Sequence, residues 1–308
     1  MKNCVIFFDC HVSQMFNYLT QNRKFRENFN LPHIISIMDY TKKDGKYGNN
    51  KKLAEEHINK IKKADIFIIQ VIEKDRGFLN NSEVIKYCNS NCKIIKIPHY
   101  RNSIYEYKCI ENVSNKRDLL WYENILESNK ITIKWNLPNK IKDLNNIDET
   151  KKIIQNEIDI MNNFKYDEDD MFKSINDKIK EFEKIDSLSD IKMLDYFNNN
   201  FKKYRLFQGR RYPSSRFFFE LTNRILQRLK ISPTKIYVDS CFALNTGEPI
   251  PDYWYKYCKF TFDNKYHRCA GNIAITEIEW YYILLLSQNP NIKTGSENLR
   301  FLKKIRGL

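Results

Sequence analysis

At 308 residues, 42% of them hydrophobic and 29% charged, the chain is long enough to bury a sizeable core and too short for more than two ordinary domains. This composition excludes a disordered polymer, and no apolar run approaches the ~20 residues needed to cross a bilayer. The formal net charge of +14 suits either nucleic acid or a phosphate-bearing small molecule in a basic cleft. Its basic residues are interspersed with acidic ones, which counts against a polymeric nucleic-acid partner.

The first eleven residues, MKNCVIFFDCH, lack the length and small-residue cleavage site of a signal peptide. They predict instead a buried strand over Cys4–Phe8. A helix follows over 12–19, with Met15, Phe16 and Leu19 on one side, then a strand over 33–38. An amphipathic helix over 51–63, a strand over 65–71, a short helix over 82–87 and a strand over 93–97 complete the alternation. Strands alternating with helices imply a parallel sheet covered on both faces, an α/β three-layer sandwich.

The second half reads as mainly helical, with apolar faces around 153–161, 171–182, 191–201 and 216–229. The acidic run Asp167-Glu168-Asp169-Asp170 opens one of these helices and is read as complementing its dipole rather than holding a metal. Short apolar segments at 235–238 and 260–262 precede an aromatic-rich helix over 277–286. With no internal repeat and no long linker, 1–308 is expected to be a single unit, a sheet lobe over 1–145 and a helical lobe over 146–308. The eight cysteines read mostly as reduced thiols of a cytoplasmic protein. Neither Cys88 with Cys92 nor Cys258 with His267 and Cys269 has the ligand count and spacing of a zinc site.

In parallel sheets ligands bind beyond the carboxyl ends of the strands, and here those ends are polar. The first strand runs into Asp9-Cys10-His11, and the third reaches Gln70 with Glu73, Asp75 and Arg76 following. The fourth runs into Pro98-His99-Tyr100-Arg101. A cysteine between strand and helix is placed for a lowered thiol pKa, and His11 or His99 can serve as its imidazole partner. Asp9 or Asp75 can orient that imidazole. Cys4, by contrast, reads as core packing. A loop carrying Arg205, Arg210 and Arg211 beside Phe207, Gly209, Tyr212 and Pro213 reads as a pocket wall suited to phosphates. No G-x-G-x-x-G and no P-loop pattern occurs, which counts against a typical nicotinamide dehydrogenase, P-loop NTPase or glycine-loop methyltransferase.

Taken in order, these segments resemble the WcbI-type polysaccharide-biosynthesis proteins, a family of capsule-assembly acetyltransferases that bind coenzyme A. Phe8-Asp9-Cys10-His11 matches the family's Gly-Asn-Cys-Gln-like motif, and Asp65 to Gln70 its Asp-led strand ending in Gln. Pro98 through Tyr105 resembles its Pro-led aromatic segment, and Arg205-Leu206-Phe207 with Tyr212-Pro213 its Arg-Leu-Phe and His-Pro pair. The likeness runs from about Cys4 to about Leu229. It departs where Phe8 and His11 replace Gly and Gln and where Tyr212 replaces His, so a base must come from His11 or His99.

The resemblance implies an acetyl-CoA-dependent acetyltransferase, without metal, acting on a nucleotide-linked or glycan sugar. Cys10, His11, His99 and Asp9 would be catalytic, and Gln70, Arg76, Tyr100, Arg101, Arg205, Arg210 and Arg211 would hold coenzyme A. A homo-oligomer is compatible with it. Two rivals predict different behaviour. A Cys–His esterase or deacetylase would turn over activated acetyl esters without any sugar. A basic nucleic-acid-binding protein would bind in a steeply salt-dependent way and survive loss of Cys10.

Overall fold

A computed structural model describes residues 1–8, 12–40, 52–71, 76–100, 104–105, 146–163, 167–208, 212–237, 250, 252–263, 267–268, 274–276, 278–279 and 306. In chain order the main elements are β1 (Cys4–Phe8), α1 (Val12–Gln21), α2 (Arg23–Asn28), β2 (His33–Ser36), α3 (Glu55–Lys62), β3 (Ile66–Val71), α4 (Asn81–Ile85) and β4 (Lys93–Pro98). They continue with α5 (Ile147–Asn163), α6 (Glu168–Ser187), α7 (Leu194–Asn200), α8 (Ser215–Arg228) and α9 (Asp252–Tyr257).

The four strands form one parallel sheet in the order β2-β1-β3-β4, with Phe7 of β1 in register with Ile35 of β2 and Ile69 of β3. Every residue of β1 is buried, because helices cover both faces and leave no solvent side for a polar residue. Side chains alternate across the pleat. Val5, Phe7, Ile35, Phe67 and Ile69 share a core with Leu53, with Ile61 of α3 and with Val84 of α4. On the other face Phe8 meets Phe218 of α8 at 6.5 Å between ring centroids. Tyr18 of α1 packs edge-on to Phe219 of the same helix at 5.5 Å. The α/β class and the helical second half read from the sequence are therefore the observed architecture.

Local chemistry explains the boundaries. Asn22 caps α2, its Oδ1 accepting from the Phe25 N–H at 2.9 Å, and Ser214 caps α8 through the Phe217 N–H. Asp167 caps α6 through the N–H groups of Asp169 and Asp170, so the acidic run does serve a helix N-terminus. The expected strand over 33–38 stops at Ser36, where a 3-10 turn over Ile37–Tyr40 turns both Ile37 and Tyr40 into the core. Helix α2 was not expected, since its six residues, RKFREN, bury only Phe25 and show no apolar period. Residues 235–237 and 260–262 carry no strand, and most of the expected helix over 277–286 lies outside the described residues.

The chain divides into two compact units that interleave along the sequence. Unit 1 takes Met1–Asn102, Ile179–Phe201 and Tyr212–Ala243, and unit 2 takes Ser103–Lys178, Lys202–Arg211 and Leu244–Leu308. Among the described residues no helix is long and apolar enough to cross a membrane.

Candidate active site at the carboxyl edge of the sheet

The strand order fixes where a ligand belongs. The connection from β1 leads to β2 on one side, and the chain then crosses to β3 and β4 on the other. The direction of winding thus reverses between β1 and β3, and crevices at such switch points are where open α/β sheets bind ligands. The carboxyl ends flanking this point are Phe8 and Val71. Asp9, Cys10 and His11 follow Phe8 directly in the chain, and Glu73 and Asp75 follow Val71; all five lie outside the described residues, as does Arg101.

The described residues at this edge divide into buried and half-buried groups. Gln70 is 2% exposed and its carbonyl accepts from the Asn81 side chain at 2.8 Å. Arg76, half-buried, leads into a short 3-10 turn over Gly77–Leu79, its own N–H held by Asn80 Oδ1 at 2.6 Å. His99, half-buried, follows β4 immediately. Tyr100 is buried, stacked on Phe182 at 4.7 Å and edge-on to Phe217 at 4.8 Å. Its hydroxyl donates to Asp186 Oδ1 at 2.6 Å, the same oxygen that accepts the Met193 N–H at 2.6 Å. Burial first, and the neighbouring Asp186 second, push the Tyr100 hydroxyl well above its ordinary pKa.

One residue near this edge escaped the sequence reading. Gln14, in the first turn of α1, is 3% exposed, and its Oε1 has no hydrogen-bond partner among the described residues. Leaving such a buried amide oxygen unpaired costs roughly 1–3 kcal/mol, so Gln14 joins the candidate residues of this edge. The signal for Gln14 was present but weak: it and Ser13 are polar residues before the apolar Met15, on a helix directly following the polar strand end.

In unit 2, Arg205 sits in a backbone held from both sides by one side chain. The Tyr105 hydroxyl donates to the carbonyl of Tyr204 and accepts the N–H of Leu206, each at 2.9 Å. Leu206 and Phe207 are buried, and the Tyr105 ring meets Phe260 and Phe262 at 5.2 and 5.5 Å. Arg205 is half-buried on this braced segment. Arg210 and Arg211 lie outside the described residues. Among the described residues no group of three metal-ligating side chains comes together.

A four-stranded parallel sheet with helices on both faces and a polar carboxyl edge defines an α/β protein with its candidate site at the topological switch point. No protein-family model matches the sequence, and no curated protein matches it. The fold is that of WcbI, a polysaccharide biosynthesis enzyme, whose solved structure aligns over 99% of this chain and 95% of its own at a TM-score of 0.59 and 11% identity. That structure is the native enzyme without a disulfide bond between coenzyme A and one of its cysteines. At this identity the likeness establishes a common fold.

Proposed function

We propose that the chain is a coenzyme A-dependent acyltransferase that moves an acetyl group from acetyl-CoA to an amine or hydroxyl of a nucleotide-linked or glycan sugar. The observation that carries this reading is the likeness, over nearly the whole of both chains, to an enzyme of polysaccharide biosynthesis whose structure concerns a cysteine and coenzyme A. One feature of this chain fits the co-substrate: coenzyme A carries phosphates, which Arg205, on its braced segment, can bind bidentately. In this reading Arg210 and Arg211, adjacent in the same arginine-rich stretch of sequence, are assigned to the phosphates as well, and Gln70, Arg76 and Arg101 to coenzyme A.

In this reading Cys10, as thiolate, attacks the acetyl carbonyl; its new C–S bond replaces the one to coenzyme A, whose thiolate takes a proton from His11 or His99. The same imidazole, oriented by Asp9, then removes the acceptor's proton as its oxygen or nitrogen attacks, and Cys10 leaves as thiolate. Tyr100 contributes as scaffold, since its hydroxyl is spent on Asp186.

Intact-protein mass spectrometry after brief incubation with acetyl-CoA tests the reading, on the native chain and on Cys10→Ala. An acetyl adduct that needs Cys10 supports the covalent route. Thermal stabilisation by coenzyme A with no adduct supports direct transfer with a histidine base. Neither an adduct nor stabilisation overturns the acyltransferase reading and leaves the esterase to be tried with activated esters.

A further inference from the structure

Helix α3 opens without a cap of its own. Its N-cap position is Ala54, which has no side-chain oxygen to offer. A tyrosine from elsewhere in the chain takes up the task. The Tyr40 hydroxyl, at the end of the 3-10 turn after β2, accepts the Ala54 N–H at 3.1 Å. The same hydroxyl meets Nδ1 of His57, in the first turn of α3, at 2.5 Å. The Tyr40 side chain is buried, with its ring edge-on to His57 and to Phe78, each at 5.8 Å between centroids.

Counting hydrogens fixes the protonation of this relay. A backbone N–H can only donate, so the Tyr40 oxygen accepts there, and its own proton is left for Nδ1 of His57. Nδ1 must then carry a lone pair, which makes His57 a neutral imidazole with its proton on Nε2. Burial above all, together with the nearby Asp39, pushes the Tyr40 hydroxyl above its ordinary pKa in spite of the Ala54 N–H, so the phenol keeps the proton it donates. Behind His57 stands a second imidazole. The His33 ring lies edge-on to it at 5.5 Å, and His33 Nε2 is buried with no hydrogen-bond partner among the described residues. A charge on His33 is disfavoured: burial first, then His57 and Lys60, lower its pKa against the pull of Glu56.

We infer that Tyr40 and His57 form an acid-released latch on the start of α3, shut while His57 is neutral and opened when His57 takes a proton. It is built from unit 1 alone and is independent of the acyltransferase reading. A protonated Nδ1 becomes a donor aimed at a hydroxyl whose own proton then has no acceptor among the described residues. The new charge would also lie at the positive end of the α3 dipole and beside the His33 ring. Lys60, one turn on, adds to the repulsion, while Glu55 and Glu56 in the first turn are exposed and screened by solvent. Opening frees the Ala54 N–H and slackens the ring contact with Phe78, which sits in the 3-10 turn directly after Arg76.

Two nuclear magnetic resonance readouts on the full chain test the latch. Imidazole nitrogen shifts at about pH 7.5 should show His57 with its proton on Nε2 and Nδ1 as an acceptor. Amide hydrogen exchange at Ala54, taken relative to the unstructured chain at each pH, should show protection at about pH 7.5 that falls roughly tenfold or more by about pH 5.5. Tyr40→Phe should leave Ala54 unprotected at both values. His57→Asn is the sharper variant: its amide oxygen can take the place of Nδ1 as acceptor but does not titrate, so protection should persist into acid. A proton on Nδ1 of His57 at about pH 7.5, or Ala54 protection in the native chain that does not change between the two values, overturns the inference. Both of those readouts come from the native chain and decide the matter even if a variant folds poorly.

Discussion

Tyr100 and Tyr105 come from the same aromatic stretch, both are buried, and their hydroxyls do different things. Tyr100 donates to a carboxylate 86 residues away, and that carboxylate also gathers the Met193 N–H, so the group pins β4's exit to α6 and the approach to α7. Tyr105 binds main chain about a hundred residues away, on either side of Arg205, and so fixes the path of a segment that carries a candidate ligand-binding cation. A hydroxyl spent on a buried side chain holds the fold, whereas one spent on backbone shapes what that backbone presents. The two sites should therefore separate in experiment, stability at one and binding at the other.

The largest effect is expected at Asp186. Replacing it with Ala orphans the Tyr100 hydroxyl and the Met193 N–H together, a loss of roughly 3 kcal/mol or more. Urea unfolding should show it as a lower midpoint at unchanged slope. Tyr100→Phe is gentler, at about 1–2 kcal/mol, because Asp186 keeps the Met193 N–H and the ring keeps its stack on Phe182. Affinity for coenzyme A should be unchanged in Tyr100→Phe; a loss matching that of Arg205→Ala would place Tyr100 in the binding site and erase the contrast.

Much of unit 1 was legible because the physics there is local. The run CVIFF is buried on both faces and is a strand to the residue, and the elements alternate as the parallel sheet requires. The strand ends were legible too, since the polar residues stop the apolar runs. The strand order was not, and it is the order that singles out the gap between β1 and β3. Nor were the partners of Tyr100 and Tyr105 legible, because hydrogen bonds across this sequence separation leave no local pattern. Gln14 was hidden for a similar reason: polarity on a helix normally signals solvent, and only packing reveals that this amide is enclosed.

Tyr105→Phe sharpens the contrast from the other side. It removes both braces of the Arg205 backbone while leaving the ring against Phe260 and Phe262. A stability loss of about 1 kcal/mol is expected, with coenzyme A binding weakened several-fold. Isothermal titration should show Arg205→Ala at least as weak, and the double variant no weaker than Arg205→Ala alone, since Tyr105 acts through the arginine. Additive losses would mean that Tyr105 touches the ligand itself.

The smallest effect concerns pH and belongs to the Tyr100 neighbourhood, where Asp195 and Arg224 bear on that hydroxyl electrostatically. Arg224 grips Asp195 with two nitrogens at 2.6 and 2.8 Å, and these hydrogen bonds, outweighing desolvation, hold the Asp195 carboxyl below its ordinary value of 3.8. A depressed folded pKa gives stability that is complete above the unfolded value and is lost as pH falls through the folded one. Asp195→Asn should therefore lower the urea midpoint at pH 6, and the gap to the native chain should close as pH drops below about 4. Asp195 is 64% exposed on its side chain, so solvent screening should keep the difference under about 1 kcal/mol. Tyr105 supplies the control: its partners are a backbone N–H and a carbonyl, which do not titrate, so the Tyr105→Phe deficit should stay level across the same range.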